Sequence, residues 1–375
     1  MILRISLYLP IQPTTIMLRL STTILLALLP IFSFAQDTKN ANPNRLFSST
    51  VPIEITLQMD MQKVLNDTSE DPQYSAARLI QKFDDNKIQV FDIKIKSRGN
   101  TRRINSVCEF PPIKLNFKKE STLNTVFEGQ DKLKMVTHCQ ESDDYQNYTM
   151  LEYVVYKTYN QLTDYSYRVR LVNIIYQDTE QYYNDIHKAG FLIEDEDFLA
   201  ARIGGTITER RIWSPDSCEQ KTVDLLSLFQ FMIGNTDWWI HTRHNIDIVS
   251  LRSNELIPIP FDFDYSGIIN APYAIPSQQL PIRSVRERFF KGSCKSYTEY
   301  EKTIDLFNNK KSSIFSLIEN ADFLDNRFKR ISTKYIEDFY EIINDQSKFS
   351  KYLNKTCEFL NKPPDRASVE NNNKN

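Results

Sequence analysis

Two hydrophobic periods divide the chain. Over residues 51–177 apolar and polar positions alternate: Ile93 and Ile95 are interleaved with Lys94 and Lys96, and Ile113, Leu115 and Phe117 with Lys114, Asn116 and Lys118. A period of two turns one face to a core and the other to solvent or ligand, so these segments predict strands. Residues 133–136 and 167–176 extend the pattern. One stretch breaks it. Residues 144–162 set Met150, Leu151, Val154, Val155 and Tyr159 at helical spacing, with Asp143 and Asp144 where a helix N-terminus favours negative charge.

Past residue 189 the pattern changes. A short apolar strand, residues 189–193, runs into Glu194, Asp195, Glu196 and Asp197. Residues 221–233 are apolar on nearly all sides, which predicts a buried helix, and Gly234 is a natural stop for it. Residues 246–251 and 256–261 read as two strands joined by a polar turn at 252–255, hence a hairpin. Residues 300–360 return to a helical period. The expected class is α+β. A β-rich first lobe spans residues 51–194, and a mainly helical second lobe, residues 195–360, carries an embedded β-hairpin.

The two ends differ from this body. Arg19 precedes an apolar run over residues 24–34, followed by the small residue Ala35. That is the form of an export signal over residues 1–35, with Met17 as the expected start and Gln36 near the mature end. The run is too short for a membrane-spanning helix of about 20 residues. Residues 36–50 read as a polar linker and 361–375 as a disordered Pro-, Asn- and Lys-rich tail. The expected location is periplasmic or extracellular, with no transmembrane anchor after signal cleavage.

In an oxidising compartment the five cysteines, Cys108, Cys139, Cys218, Cys294 and Cys357, are able to pair, and the odd number leaves one free. Cys108 and Cys139 flank successive strands and are the expected bridge. Charge excludes one partner class. With 46 basic and 48 acidic residues the net charge is −2, without the basic excess that phosphate-backbone binding brings, so no nucleic acid is expected.

The densest chemistry lies between residues 234 and 267. A buried helix ends at Gly234, a loop presents Asp237, Asn245 follows eight residues later, and the hairpin returns to Asp262 and Asp264. Phosphoryl transfer needs this inventory: one carboxylate for the proton of the attacking hydroxyl, and an Asn with an Asp for magnesium on the triphosphate. Asp262 and Asp264 sit among Ile259, Phe261 and Phe263, where an uncompensated carboxylate is costly.

The order of a loop Asp, an Asn, a hairpin and an Asp resembles the catalytic and metal-binding loops of protein-kinase-like folds, and in detail the spore-coat CotH family of secreted atypical kinases. The pieces carrying the resemblance are Arg98-Gly99-Asn100, Lys114 after Pro111-Pro112, Glu194 closing a strand, the Asp237 loop and Pro260-Phe261-Asp262. The resemblance implies a two-lobed kinase-like fold that binds ATP with Mg²⁺ or Mn²⁺. It implies Asp237 as catalytic base and Asn245, Asp262 and Asp264 as metal ligands. Lys114, paired with Glu152, would hold the phosphates together with Arg98, and Glu194 would lie by the nucleotide base. Phe261 stands where the family often has Trp. The implied substrate is a hydroxyl of an exported protein or glycan. Two other readings remain: a kinase-like scaffold that binds nucleotide or partner without turnover, and a hydrolase using Asp237 and Asp262 as an acid–base pair.

Overall fold

The computed structural model describes residues 45–83, 87–210 and 213–361. The alternating half forms seven strands: β1 (Ile53–Met59), β2 (Ser75–Lys82), β3 (Ile88–Ser97), β4 (Ile113–Asn116), β5 (Lys132–Val136), β6 (Val169–Asp178) and β7 (Ile186–Ile193). A short α1 (Met61–Leu65) follows β1, and α2 (Asp143–Leu162) separates β5 from β6. The strands close into a barrel in the order β1-β2-β3-β4-β5-β7-β6. Every neighbouring pair is antiparallel except the closure, where β1 lies parallel to β6 with Ile53 opposite Val172 and Met59 opposite Asp178.

The period-two pattern fixes what fills the barrel. Leu57, Leu79, Ile95, Leu115, Leu133 and Met135 are buried on one face of their strands. Phe91, Phe117 and Phe127 pack there ring to ring, with centroids 5.1–5.9 Å apart. Burying a side chain of this size contributes about 1.5–3 kcal/mol, so the interior is a packed core and not a channel.

The second half begins with α3 (Glu196–Arg202) and β8 (Gly205–Ile207). Then come α4 (Gln220–Ile233), the hairpin β9 (Ile246–Leu251) and β10 (Leu256–Pro260), and α5 (Tyr297–Glu319), α6 (Asn326–Ile343) and α7 (Gln346–Leu360). The hairpin gains β8 as a third strand, giving a separate sheet of order β10-β9-β8. All residues of α4 from Thr222 to Ile233 are buried, as its all-round apolar sequence requires. Gly234 ends the helix with φ of +67°, and a β-carbon there would meet the Tyr335 hydroxyl at 2.0 Å, so glycine is required.

This architecture overturns the expected two-lobed kinase-like fold. The β-rich half is a closed mixed barrel, and the hairpin belongs to its own three-stranded sheet. Closure depends on β1, whose parallel partner lies more than a hundred residues away and leaves no local signal. Nor is the main core of the helical half separate from the first half. Met150, Val154, Tyr156, Phe191 and Ile193 share one hydrophobic cluster with Leu228, Phe263, Tyr300 and Phe339.

Two disulfides brace the molecule, Cys108–Cys139 as expected and Cys294–Cys357, while Cys218 is buried and free. No described helix is long and apolar enough to cross a membrane. The export signal over residues 1–35, most of the linker and the tail beyond residue 361 lie outside the described residues.

Candidate active site

A cavity of about 290 Å³ opens where the barrel meets the second half. Six of the eight residues singled out in the sequence line it: Arg98, Glu152, Asp237, Asn245, Asp262 and Asp264. Lys114 and Glu194 do not.

The loop after Gly234 explains how three of them meet. Asn235 Oδ1 accepts the Asp237 N–H at 2.9 Å, fixing the turn that presents the aspartate. Trp239 and His244 then exchange main-chain hydrogen bonds at 2.9 Å, folding the loop back on itself. His244 Nε2 thereby reaches Asp237 Oδ1 at 2.8 Å. Asn245, in the left-handed region at φ +51°, donates from Nδ2 to the Asp237 carbonyl and to its Oδ2, at 2.8 and 3.0 Å. The Asn245 carbonyl accepts the Phe261 N–H at 3.1 Å, which brings the end of β10 and Asp262 alongside.

Lys291 holds the same loop from behind. Its ammonium donates to the carbonyls of Thr236 and Trp238, the two neighbours of Asp237, and stands 4.7 Å from the Trp239 ring centre. Burial pushes this ammonium down to about 8 against the pull of Asp237. The sequence offered no pointer to Lys291, because it lies in an irregular segment more than fifty residues downstream.

Asp262 also has positive φ, +62°, and its N–H donates to the Tyr156 hydroxyl at 2.9 Å. Such backbone in a residue other than glycine is uncommon and is held only where surrounding structure imposes it. The Asp262 carboxylate has no hydrogen-bond partner among the described residues. Asp264 is buried behind it and hydrogen-bonded to Tyr273. Burial first, and then the Asp262 charge, holds its carboxyl above the usual carboxylate range.

Glu152 on α2 finds a different partner from the one expected. It pairs with Arg102 at 3.5 Å, not with Lys114. Arg102 is buried and also donates to the Thr137 carbonyl at 2.8 Å. Burial and the nearby Asp264 push the Glu152 carboxyl well up, while Arg102 opposes them. For Arg102 burial disfavours the charge, and the surrounding Tyr273, Asp264, Glu152 and Asp262 outweigh it, so the guanidinium stays protonated.

Lys114 pairs with Lys134 across β4 and β5, and it is Lys134 that lines the cavity. Lys134 Nζ lies 2.9 Å from Glu196 and 5.7 Å from the Phe261 ring centre. Glu194 is committed elsewhere. It is fully buried, bridged twice by Arg202 at 2.9 Å, accepts the Arg168 N–H at 3.1 Å, and is absent from the cavity wall. Arg98 is the opposite case: half-buried at the Gly99 turn, its guanidinium makes no hydrogen bond or ion pair among the described residues.

A magnesium ion of the kind the resemblance implies would find few protein ligands here. Among the described residues no group of three His, Cys, Asp or Glu side chains is arranged to hold an ion. With Asn245 Nδ2 spent on Asp237, its Oδ1 remains, and the unpartnered Asp262 carboxylate adds oxygens of the hard type that magnesium prefers. In comparisons of the whole sequence, the chain matches no protein-family model and no curated protein.

Proposed function

We propose that the chain is an exported phosphotransferase that moves a phosphoryl group from ATP to a hydroxyl of a protein or glycan. One observation carries this reading: a single cavity gathers Asp237, Asn245, Asp262 and Asp264 with three cations, Arg98, Lys134 and the Glu152-paired Arg102. The order of these residues along the chain, which resembles the CotH family, supports it, although the fold is not the two-lobed one that the resemblance implies.

In this reading Asp237, steadied by His244, Asn245 and Lys291, accepts the proton of the attacking hydroxyl. Arg98, unpaired among the described residues, and Lys134 bind phosphate oxygens and leave Asp237 free of them. Asn245 Oδ1 and Asp262 would hold magnesium, which when bound neutralises charge on the triphosphate. Asp264, backed by Arg102 and Tyr273, keeps Asp262 in place. At about 290 Å³ the cavity suits the phosphate end of a nucleotide. Two disulfides support a location outside a reducing cytoplasm.

The deciding test is thermal-shift titration of the purified protein with ATP or ADP and Mg²⁺ or Mn²⁺, repeated on Asp262→Ala. Stabilisation by metal and nucleotide together, lost in the variant, is expected. No stabilisation under any combination removes the proposal. Intact mass after incubation with ATP, with Asp237→Ala as the control, separates turnover from binding alone.

A further inference from the structure

A second cavity, of about 770 Å³, lies on the barrel away from the phosphate cleft. Its frame is covalent. Phe110 pairs with Cys139 through an N–H···O bond of 2.9 Å, and the Cys108–Cys139 disulfide ties the same two segments. Glu109 and His138, each next to one of these cysteines, line the cavity with Glu141, Asp143, Asp185 and Lys188.

The charge is uneven and mostly uncommitted. Four carboxylates face one ammonium, and Lys188 already donates to the Glu141 carbonyl at 2.6 Å. Asp185 accepts from Gln177 at 2.8 Å, whereas the carboxylates of Glu109, Glu141 and Asp143 have no partner among the described residues. His138 forms part of the wall. It is only 3% exposed, packs on Phe110 with ring centres 4.7 Å apart, and its Nδ1 has no hydrogen bond.

The strand edge beside the cavity is open. The β5–β7 ladder ends at Val136 opposite Phe191. Two residues further along β7, the Gln146 side chain takes over, accepting the Ala189 N–H at 3.0 Å and donating to the Ala189 carbonyl at 2.9 Å. By the alternation of an antiparallel strand, His187 turns its N–H and C=O to the same side, where no described group meets them. An exposed edge of this kind accepts an extended chain as an added strand.

We propose that this cavity is a docking site for an extended polypeptide segment bearing lysine or arginine. The main chain of the segment adds to the β7 edge at His187, and a basic side chain enters the acidic cavity. The site stands independently of the reading of the phosphate cleft.

The test is fluorescence polarisation with a short labelled peptide in which lysine alternates with threonine, titrated with the full chain. Three comparisons decide it: the double variant Glu141→Gln/Asp143→Asn, the same peptide with alternate amides N-methylated, and competition by spermidine. Binding to the wild-type protein is expected, weaker by about tenfold or more for the double variant and for the methylated peptide, with no displacement by spermidine. An absence of binding to wild-type protein overturns the proposal, as does unchanged affinity in the double variant. Equal binding of the methylated peptide removes the strand edge from the site. Displacement by spermidine overturns it too, because a site for any polycation is not a peptide site. Both substituted acids are exposed, and an unchanged melting temperature confirms that the variant is folded.

Discussion

Asn245 grips Asp237 twice through one amide nitrogen, at the main-chain carbonyl and at the carboxylate. The carboxylate is thereby aimed into the cavity while the Asn245 oxygen is left for another task. Asn245→Asp separates the two roles. Aspartate tolerates the left-handed backbone and keeps the oxygen, but it loses the donor and adds a like charge. A hydrogen bond to a charged group is worth about 1.5–3 kcal/mol. Turnover should fall roughly ten- to hundredfold by intact mass, while the thermal shift with Mg²⁺ and ATP persists.

Lys134 and Lys114 are neighbours across two strands, yet only Lys134 lines the cavity. Lys134→Ala should abolish the nucleotide-dependent thermal shift, and Lys114→Ala should keep most of it. The reverse result would return the phosphate role to Lys114.

Arg202 is the double partner of a fully buried carboxylate at Glu194. Arg202→Met strands that charge and should destabilise the protein by about 3–5 kcal/mol, read from the urea midpoint. Replacing both, as Arg202→Met with Glu194→Leu, should recover much of the loss, because the apolar pair carries no desolvation penalty.

His138 gives the protein an acid limb. Burial first, then the charges of Lys188 and Arg102, holds its imidazole down to about 3 against an ordinary 6.5. The unfolded chain therefore binds a proton between these values that the folded one refuses. The His138 contribution to stability is fully present above about pH 6.5 and is lost as the pH drops toward 3, by on the order of 3–5 kcal/mol. Urea titrations across this range should show the slope, and His138→Phe should flatten it.

Much of this was legible because it is local. The helix ending at Gly234, the hairpin, and the alternation of β3 to β5 are written in short windows, and so was the gathering of Asp237, Asn245 and Asp262. Three things were not. Alternation tells which face Lys114 and Lys134 share but not which strand sits nearer the cleft, since that depends on the whole barrel. Arg102 hides in a polar turn, where nothing marks a side chain that will be buried against Glu152. Glu194, at the end of an apolar strand, reads the same whether it meets a nucleotide or Arg202, and only the fold supplies the arginine.

Parallel pairing of β1 with β6 has a consequence for how the chain matures. Gln58 and Gln177, hydrogen-bonded at 3.1 Å across that seam, are 119 positions apart. Contacts so distant form late and slowly. Until residue 178 has emerged, the first strand waits with one long side bare, which exposes the newborn polypeptide to clumping. Escorts that shield extended chains would therefore matter most in that interval, before the seam shuts.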